Sequence, residues 1–295
     1  MKKPTPKKSP FWQKSPLIEE KDIFSDLIEK RGSSLFLGKY SMNQVLAVLK
    51  KRNFLNDALK RKLWPLVYKL DSSEFPIQRF QIYYEEKKPK NLIVDLKIRE
   101  GLFQPKKELA GGASPPEYKF LIFDWLTLQN PLQSFSSNRP ALPGQKHPGL
   151  GVGKKVIDIF IYLARITKKD GILVYPAYFH NALLFSRYFY FLNPEKEAEV
   201  MAIKKSFPDI PFKQLAWIVY LECLRGRDNE IYEWKAEEQV YSLNKSLKGY
   251  FDSRGYKRRV KESLKKLSFS IDWGCYERKF KSQKSEVKTD KDSKQ

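Results

Sequence analysis

The sequence predicts an α+β fold, a mixed and mainly antiparallel central sheet flanked by helices, with a helical extension toward the C-terminus. Three observations carry the prediction. Apolar residues recur at helical spacing over residues 41–63, the period shortens to that of strands between 64 and 128, and a loop, a helix, a strand and another helix follow. With 295 residues, 41% hydrophobic and 14% aromatic, the chain has apolar surface for one large core, or for one core and a smaller satellite.

In chain order, Pro4, Pro6, Pro10 and Pro16 among lysines make residues 1–16 an extended, disordered basic arm, and order is expected from Leu17. Val45, Leu46, Val48, Leu49, Leu55, Ala58, Leu59 and Leu63 mark two short helices broken near Asn53, with Ser41 and Asn56 as caps. Trp64 to Leu70, Ile77 to Tyr84 and Leu92 to Ile98 are β-branched or aromatic runs between polar punctuation, the pattern of an antiparallel meander. Tyr118 to Leu128, after the loop Gly111 to Pro116, is a further strand, central and largely buried because Asp124 is its one acid. Prolines 131, 140, 143 and 148 with Gly144 make residues 130–148 a loop, and an ordered loop of that length in a compact domain is usually functional.

Lys154 to Thr167 is a helix, apolar on nearly every side and therefore expected to be buried. Asp170-Gly171 turns into the strand Ile172 to Tyr175, Asn181 opens a helix reaching Tyr188, and a helical pattern divided at Pro208 and Pro211 runs on to Phe251. The organisation expected is an arm over 1–16, an α+β domain over 17–195, a helical extension over 196–253 and a basic, partly disordered tail over 254–295.

The net charge is +22, and residues 1–16 and 254–295 hold +5 and +8 of it. Two readings stay open: solubilising ends, or contacts to an acidic partner such as nucleic acid, an acidic protein or an anionic membrane surface. The apolar runs Val156 to Ala164 and Leu215 to Leu224 are too short to span a bilayer, and Met1 to Lys8 is not followed by an apolar leader. Cys223 and Cys275 lack metal-ligand spacing, and Cys223 reads as an ordinary core thiol. A cytoplasmic, reducing compartment is expected.

The most pointed chemistry lies in Gly149-Leu150-Gly151-Val152-Gly153-Lys154-Lys155, where three alternate glycines precede a helix. Free N–H groups of a first helical turn, backbone without side chains and two lysines together attract phosphate. A P-loop is excluded, because Pro148 stands where its first glycine belongs and Lys155 where Ser or Thr does; a dinucleotide fingerprint fails on Lys154 and Val156. A glycine turn that only packs a helix on a strand is the alternative reading.

Gly151-Val152-Gly153-Lys154-Lys155-Val156 resembles the acyl-CoA motif of the GNAT acyltransferase superfamily, in which a Gly-x-Gly loop opens a helix bearing an aliphatic residue three positions on. The resemblance runs over roughly residues 41–195, including the order of elements and the seven-residue spacing from Asn181 to Tyr188. The sequence departs from the family pattern at Pro148, where Arg or Gln is usual, and in the length of the 130–148 loop. The resemblance implies two splayed strands with pantetheine between them, an acetyl-CoA or other acyl-CoA co-substrate held by Gly149, Gly151, Val152, Gly153, Lys154 and Asn181, and Tyr188 as the acid that protonates the leaving thiolate.

His147 and His180 are the only histidines, so a triad or a metal site built on several is excluded, and no metal is expected. His180 reads either as a general base or as a capping or surface histidine; Asp124 reads either as a paired carboxylate or as a base. Aromatic residues over 175–191 form a pocket wall or plain core, and Arg254 to Arg259 mixes aromatic and basic residues as anion-contacting tails do. The function expected is acyl transfer from acyl-CoA to an amine; the alternative is a noncatalytic adaptor for nucleic acid or an acidic protein on a vestigial fold of the same kind.

Overall fold

The computed structural model describes residues 34–104, 116–136 and 139–292, with side chains as far as 283. The basic arm over 1–16 and Gly111 to Pro115 lie outside the described residues. Helices α1 (Met42–Lys51) and α2 (Phe54–Lys60) precede the strands β1 (Leu66–Asp71), β2 (Gln78–Tyr84), β3 (Leu92–Phe103) and β4 (Tyr118–Leu128). Next come α3 (Gly153–Ile166), β5 (Gly171–Val174), α4 (Phe179–Phe185), β6 (Tyr190–Phe191), α5 (Pro194–Ser206) and α6 (Phe212–Tyr220). The C-terminal part adds β7 (Leu224–Arg225), β8 (Gln239–Ser242), α7 (Lys245–Asp252), α8 (Arg254–Lys266), β9 (Ser270–Ile271) and α9 (Trp273–Asp292).

Local chemistry sets several of these boundaries. Ser41 and Gln44 form a reciprocal capping box at α1, and Asn53, at φ 59°, turns the chain between α1 and α2. Asn193, Asn244 and Ser253 cap α5, α7 and α8 with side-chain oxygens. Asn56, expected as a cap, lies inside α2, its amide on Asn53.

The fold is α+β, with a seven-stranded sheet in the order β1-β2-β3-β4-β5-β8-β6. β1 to β4 form the antiparallel meander, β4 and β5 are parallel, and β8 and β6 continue antiparallel. Alternate residues of β4 feed two cores: Leu121 and Phe123 face α1, α2 and α3, while Phe120 and Ile122 face α7 and α8. A third core joins α4, α5, α6 and the base of α9.

Three sequence expectations change. β8 belongs to the main sheet, so residues 196–253 are not purely helical and the sheet crosses position 195. Val240 is fully buried there because the free edge of β5 offers a ladder. Arg254 to Lys266 is the helix α8, docked through buried Tyr256 and Val260, with the Tyr256 hydroxyl donating to the Phe191 carbonyl at 2.7 Å. Helix α3 is not buried all round: Lys154, Asp158 and Arg165 are exposed and only Val156, Ile161 and Ala164 are fully enclosed.

Cys223 and Cys275, expected as unlinked thiols, form a disulfide with Cα atoms 5.6 Å apart that ties the end of α6 to the start of α9. Closing a loop of 52 residues should contribute roughly 4 kcal/mol by restricting the unfolded chain. Cys275→Ser, or dithiothreitol on the native chain, should therefore lower the unfolding free energy by that order, as urea titration would show; an unchanged unfolding free energy would mean the link carries no stability.

Candidate functional site

Strands β4 and β5 pair only from Phe120↔Gly171 to Phe123↔Val174. β4 then runs five residues further, to Leu128, in a ladder with β3 alone, which leaves a notch in the strand pairing at the carboxyl ends of the two parallel strands, with Gly149 against its far end at Leu128. Open sheets with parallel strands often bind ligands at the carboxyl ends of those strands. The chain leaves β4, makes the 130–148 loop and returns at the same end to start α3. The loop is pinned at its base by the Asn130 N–H on the Pro148 carbonyl at 2.7 Å, and farther out Trp217 Nε1 and Lys213 Nζ donate to the carbonyls of Ala141 and Pro140.

The glycine run stands at the notch as the last turn before α3. Gly151 has φ +70°, a left-handed conformation that a side chain would strain. Val152 takes the N-cap position but has no side-chain oxygen, so the N–H groups of Gly153, Lys154 and Lys155 keep no cap partner. No acid lies in the first turn. Arg61 reaches toward Gly151, Arg139 donates to the Gly149 carbonyl at 3.0 Å, and Lys154 is exposed. Asp57 is the neighbouring acid, paired with Lys155 and, at 3.8 Å, with Arg61, which leaves the turn electropositive.

Asp124 sits on the other lip of the notch. The register of β3 with β4 shifts between Lys97↔Trp125 and Ile98↔Phe123, so Asp124 is a bulged residue with no partner across the ladder. Bulges re-aim side chains and are common beside active sites. Arg99 holds the carboxylate with contacts of 2.9 and 3.3 Å, and the Tyr175 phenol, just past β5, feels both charges while donating to Glu238 at 3.5 Å. Arg99 and Glu238 escaped the sequence reading, which offered Tyr175 as the end of a strand and as pocket wall or plain core; it stands one residue past β5.

The remaining candidates lie elsewhere. Asn181 does not open a helix: α4 begins at Phe179, Tyr178 is its N-cap, and the Asn181 backbone N–H donates to the Tyr178 carbonyl at 3.0 Å. Tyr188 lies beyond α4, which ends at Phe185, and packs half-buried against the core on the α3 side of the sheet. His180 is buried, stacked on Tyr178 at 5.3 Å, with Nδ1 lacking a partner. No hydrogen bond joins Asp124, His180 or Tyr188 to one another among the described residues. Nor do three or more His, Cys, Asp or Glu gather into a cluster there, and no helix is long and apolar enough to cross a membrane.

No protein-family model matches the chain, and a search of curated proteins finds no match.

Burial lowers the pKa of His180 to about 4. The native state thus excludes a proton that the unfolded chain binds below about 6.5. Stability from this group is complete above pH 6.5 and declines as pH falls toward 4, by about 1.4 kcal/mol per pH unit at most. Urea titrations between pH 7.5 and 4.5 should show that slope, and His180→Leu should flatten it; parallel curves would place the titration on another group.

Proposed function

We propose that the protein is an acyltransferase that takes an acyl group from acetyl-CoA or another acyl-CoA and passes it to an amine, on a GNAT-like fold. The observation that carries this reading is the pairing of the notch with an uncapped, electropositive helix start at the same end of the sheet. A long ligand with phosphates at one end and a reacting thioester at the other fits that layout, with Gly149 to Lys154 on the pyrophosphate and pantetheine along the free edge of β4.

In the reaction the amine lone pair attacks the thioester carbonyl, a carbon–nitrogen bond forms and the carbon–sulfur bond breaks. The thiolate takes up a proton and the ammonium gives one up. Of the two candidate bases, Asp124 is favoured by position: it lies at the notch, whereas His180 is enclosed and stacked on Tyr178. Tyr188 is the proposed acid toward the thiolate, a role that requires its ring to turn from the core toward the sulfur. Acyl-CoA places the reaction in the cytoplasm. The Cys223–Cys275 link is at odds with that compartment, since disulfides are rare where thiols are kept reduced, and a free-thiol assay on freshly lysed cells decides it.

One observation favours the adaptor reading: Arg254, Lys257, Arg258, Lys261 and Lys265 of α8 are exposed along a helix whose Tyr256 and Val260 face inward. If that face binds nucleic acid, Lys261→Glu with Lys265→Glu should weaken binding and reduce the salt slope by about one per lost phosphate contact, without unfolding α8. Equal gel-shift titrations for both proteins would remove the face from any such role.

Binding and chemistry separate in two variants. A β-carbon on Gly153 meets nothing within 4 Å, so Gly153→Val should fold as the wild type yet weaken CoA binding about tenfold or more, by filling the space the phosphate needs. Asp124→Asn should leave CoA affinity intact and lower amine acylation by about a hundredfold. Calorimetric titration and thiol release over a panel of amines measure both. Wild-type affinity in Gly153→Val would take the loop out of the mechanism.

A further inference from the structure

Between the sheet and helices α1 and α3 lies a cavity of about 90 Å³. Val45 and Val48 of α1, with Ile159, Phe160 and Leu163 of α3, are among its walls, and its lining is carbon apart from Gln44 and the phenols of Tyr40 and Tyr162. A water held there would need two to four polar partners, so an apolar group suits the space. Left empty, it deprives its walls of dispersion contacts on one side. Those five helical walls are half-buried, and Leu49 is the one fully buried residue of α1. A helix that covers a core normally seals its apolar stripe. Here the stripes of α1 and α3 are left partly uncovered. The polar residues of the same face are basic: over 42–62 and 153–169, eleven Lys or Arg stand against Asp57 and Asp158.

The chain carries a segment of complementary chemistry just ahead of this face, in residues 17–31, which lie outside the described residues. At helical spacing Leu17, Ile23, Phe24, Leu27 and Ile28 share one side of it, and Glu19, Asp22, Asp26 and Glu29 share the other. Ser15-Pro16 before the run and Lys30-Arg31-Gly32 at its end are the start and stop signals of a helix. Residues 17–29 hold five acids and one lysine, in a chain whose net charge is +22. The segment is therefore acidic where the face is basic, and it has an apolar side to offer where the face is uncovered. Only residues 32–35 separate it from Phe36, itself a wall of the cavity, and a tether that short reaches about 13 Å at full extension. So close a tether keeps the segment at a high local concentration over the face. We propose that residues 17–31 dock as an amphipathic helix on α1 and α3, with the apolar side over the cavity. The inference is independent of the acyl-CoA reading.

The test is hydrogen exchange read by mass spectrometry on the full chain. Amides of residues 17–31 should exchange about a hundredfold more slowly than in a free peptide of that sequence, because a docked helix exchanges only when it opens. Phe24→Asp with Leu27→Asp should return the segment to the free-peptide rate and speed exchange in α1, while β3 and β4 keep their protection. Leu163→Trp, which fills the cavity from α3, should release the segment without altering it. Asp22→Lys with Asp26→Lys, a pair of changes on the polar side, should reduce the protection, and added salt should narrow the difference from the wild type. Circular dichroism reports whether each variant is folded. Free-peptide exchange of residues 17–31 in the wild type would overturn the proposal. So would protection that survives Leu163→Trp in a folded protein, since the segment would then sit elsewhere. Protection that falls on dilution would also overturn it, because the segment would then cover a second copy rather than its own chain.

Discussion

The architecture depends on the short parallel pairing of β4 with β5. A parallel pair cannot be joined by a hairpin; the chain must leave the carboxyl end of the first strand and travel back to the amino end of the second. Helix α3 makes that return, so it has to start where both strands finish. The unpaired end of β4, the bulge at Asp124 and the open first turn of α3 therefore meet at one place as a matter of connectivity. Gly171 makes the pairing possible: a β-carbon there would run into the Tyr241 carbonyl and the Phe120 ring. The strength of this junction does not come from its length. It is held between the long β3–β4 ladder on one side and β8 on the other, and its residues Leu121, Ile172 and Leu173 are completely enclosed.

What the sequence made legible follows from how local each signal is. β4 was readable to the residue, since an eleven-residue aromatic and aliphatic run has few other fates in water. The α1–α2 break and the Ser41 cap were equally local. β8 was not readable: Gln239-Val240-Tyr241-Ser242 carries little strand signature, and it is a strand because β5 presents an unfilled edge. The same holds for Cys223 and Cys275, whose proximity is created by the packing of α9 beneath α6. At the site, the glycine turn was legible as composition, whereas the guanidinium groups of Arg61 and Arg139 arrive from distant positions. Helical spacing suggested that Tyr188 lies inside a helix, yet α4 stops three residues earlier.

The charge of the chain also changes meaning once the fold is known. The basic C-terminal run is not a loose appendage but the outer face of α8, whose inner face fills the core beneath β6. Lys196 illustrates the opposite case. It is buried, pairs with Glu199 and lies 4.2 Å over the Trp234 ring, so one of the cations in the count is spent on holding α5 to the irregular segment before β8. Net charge counts both kinds alike, although only the exposed kind can meet a partner.

The tether between Asn130 and Pro148 has a practical side. Because the hydrogen bond fixes both ends of the loop at the rim of the notch, the length of chain between them is set by closure entropy, which grows slowly with added residues. A peptide tag or a fluorophore-bearing segment grafted at the exposed stretch Leu132 to Ser134, ahead of the anchored Pro140 and Ala141 and the buried Leu142, would ride above the site without dragging on β4 or α3. The fold thus supplies a ready attachment point for an optical reporter of occupancy.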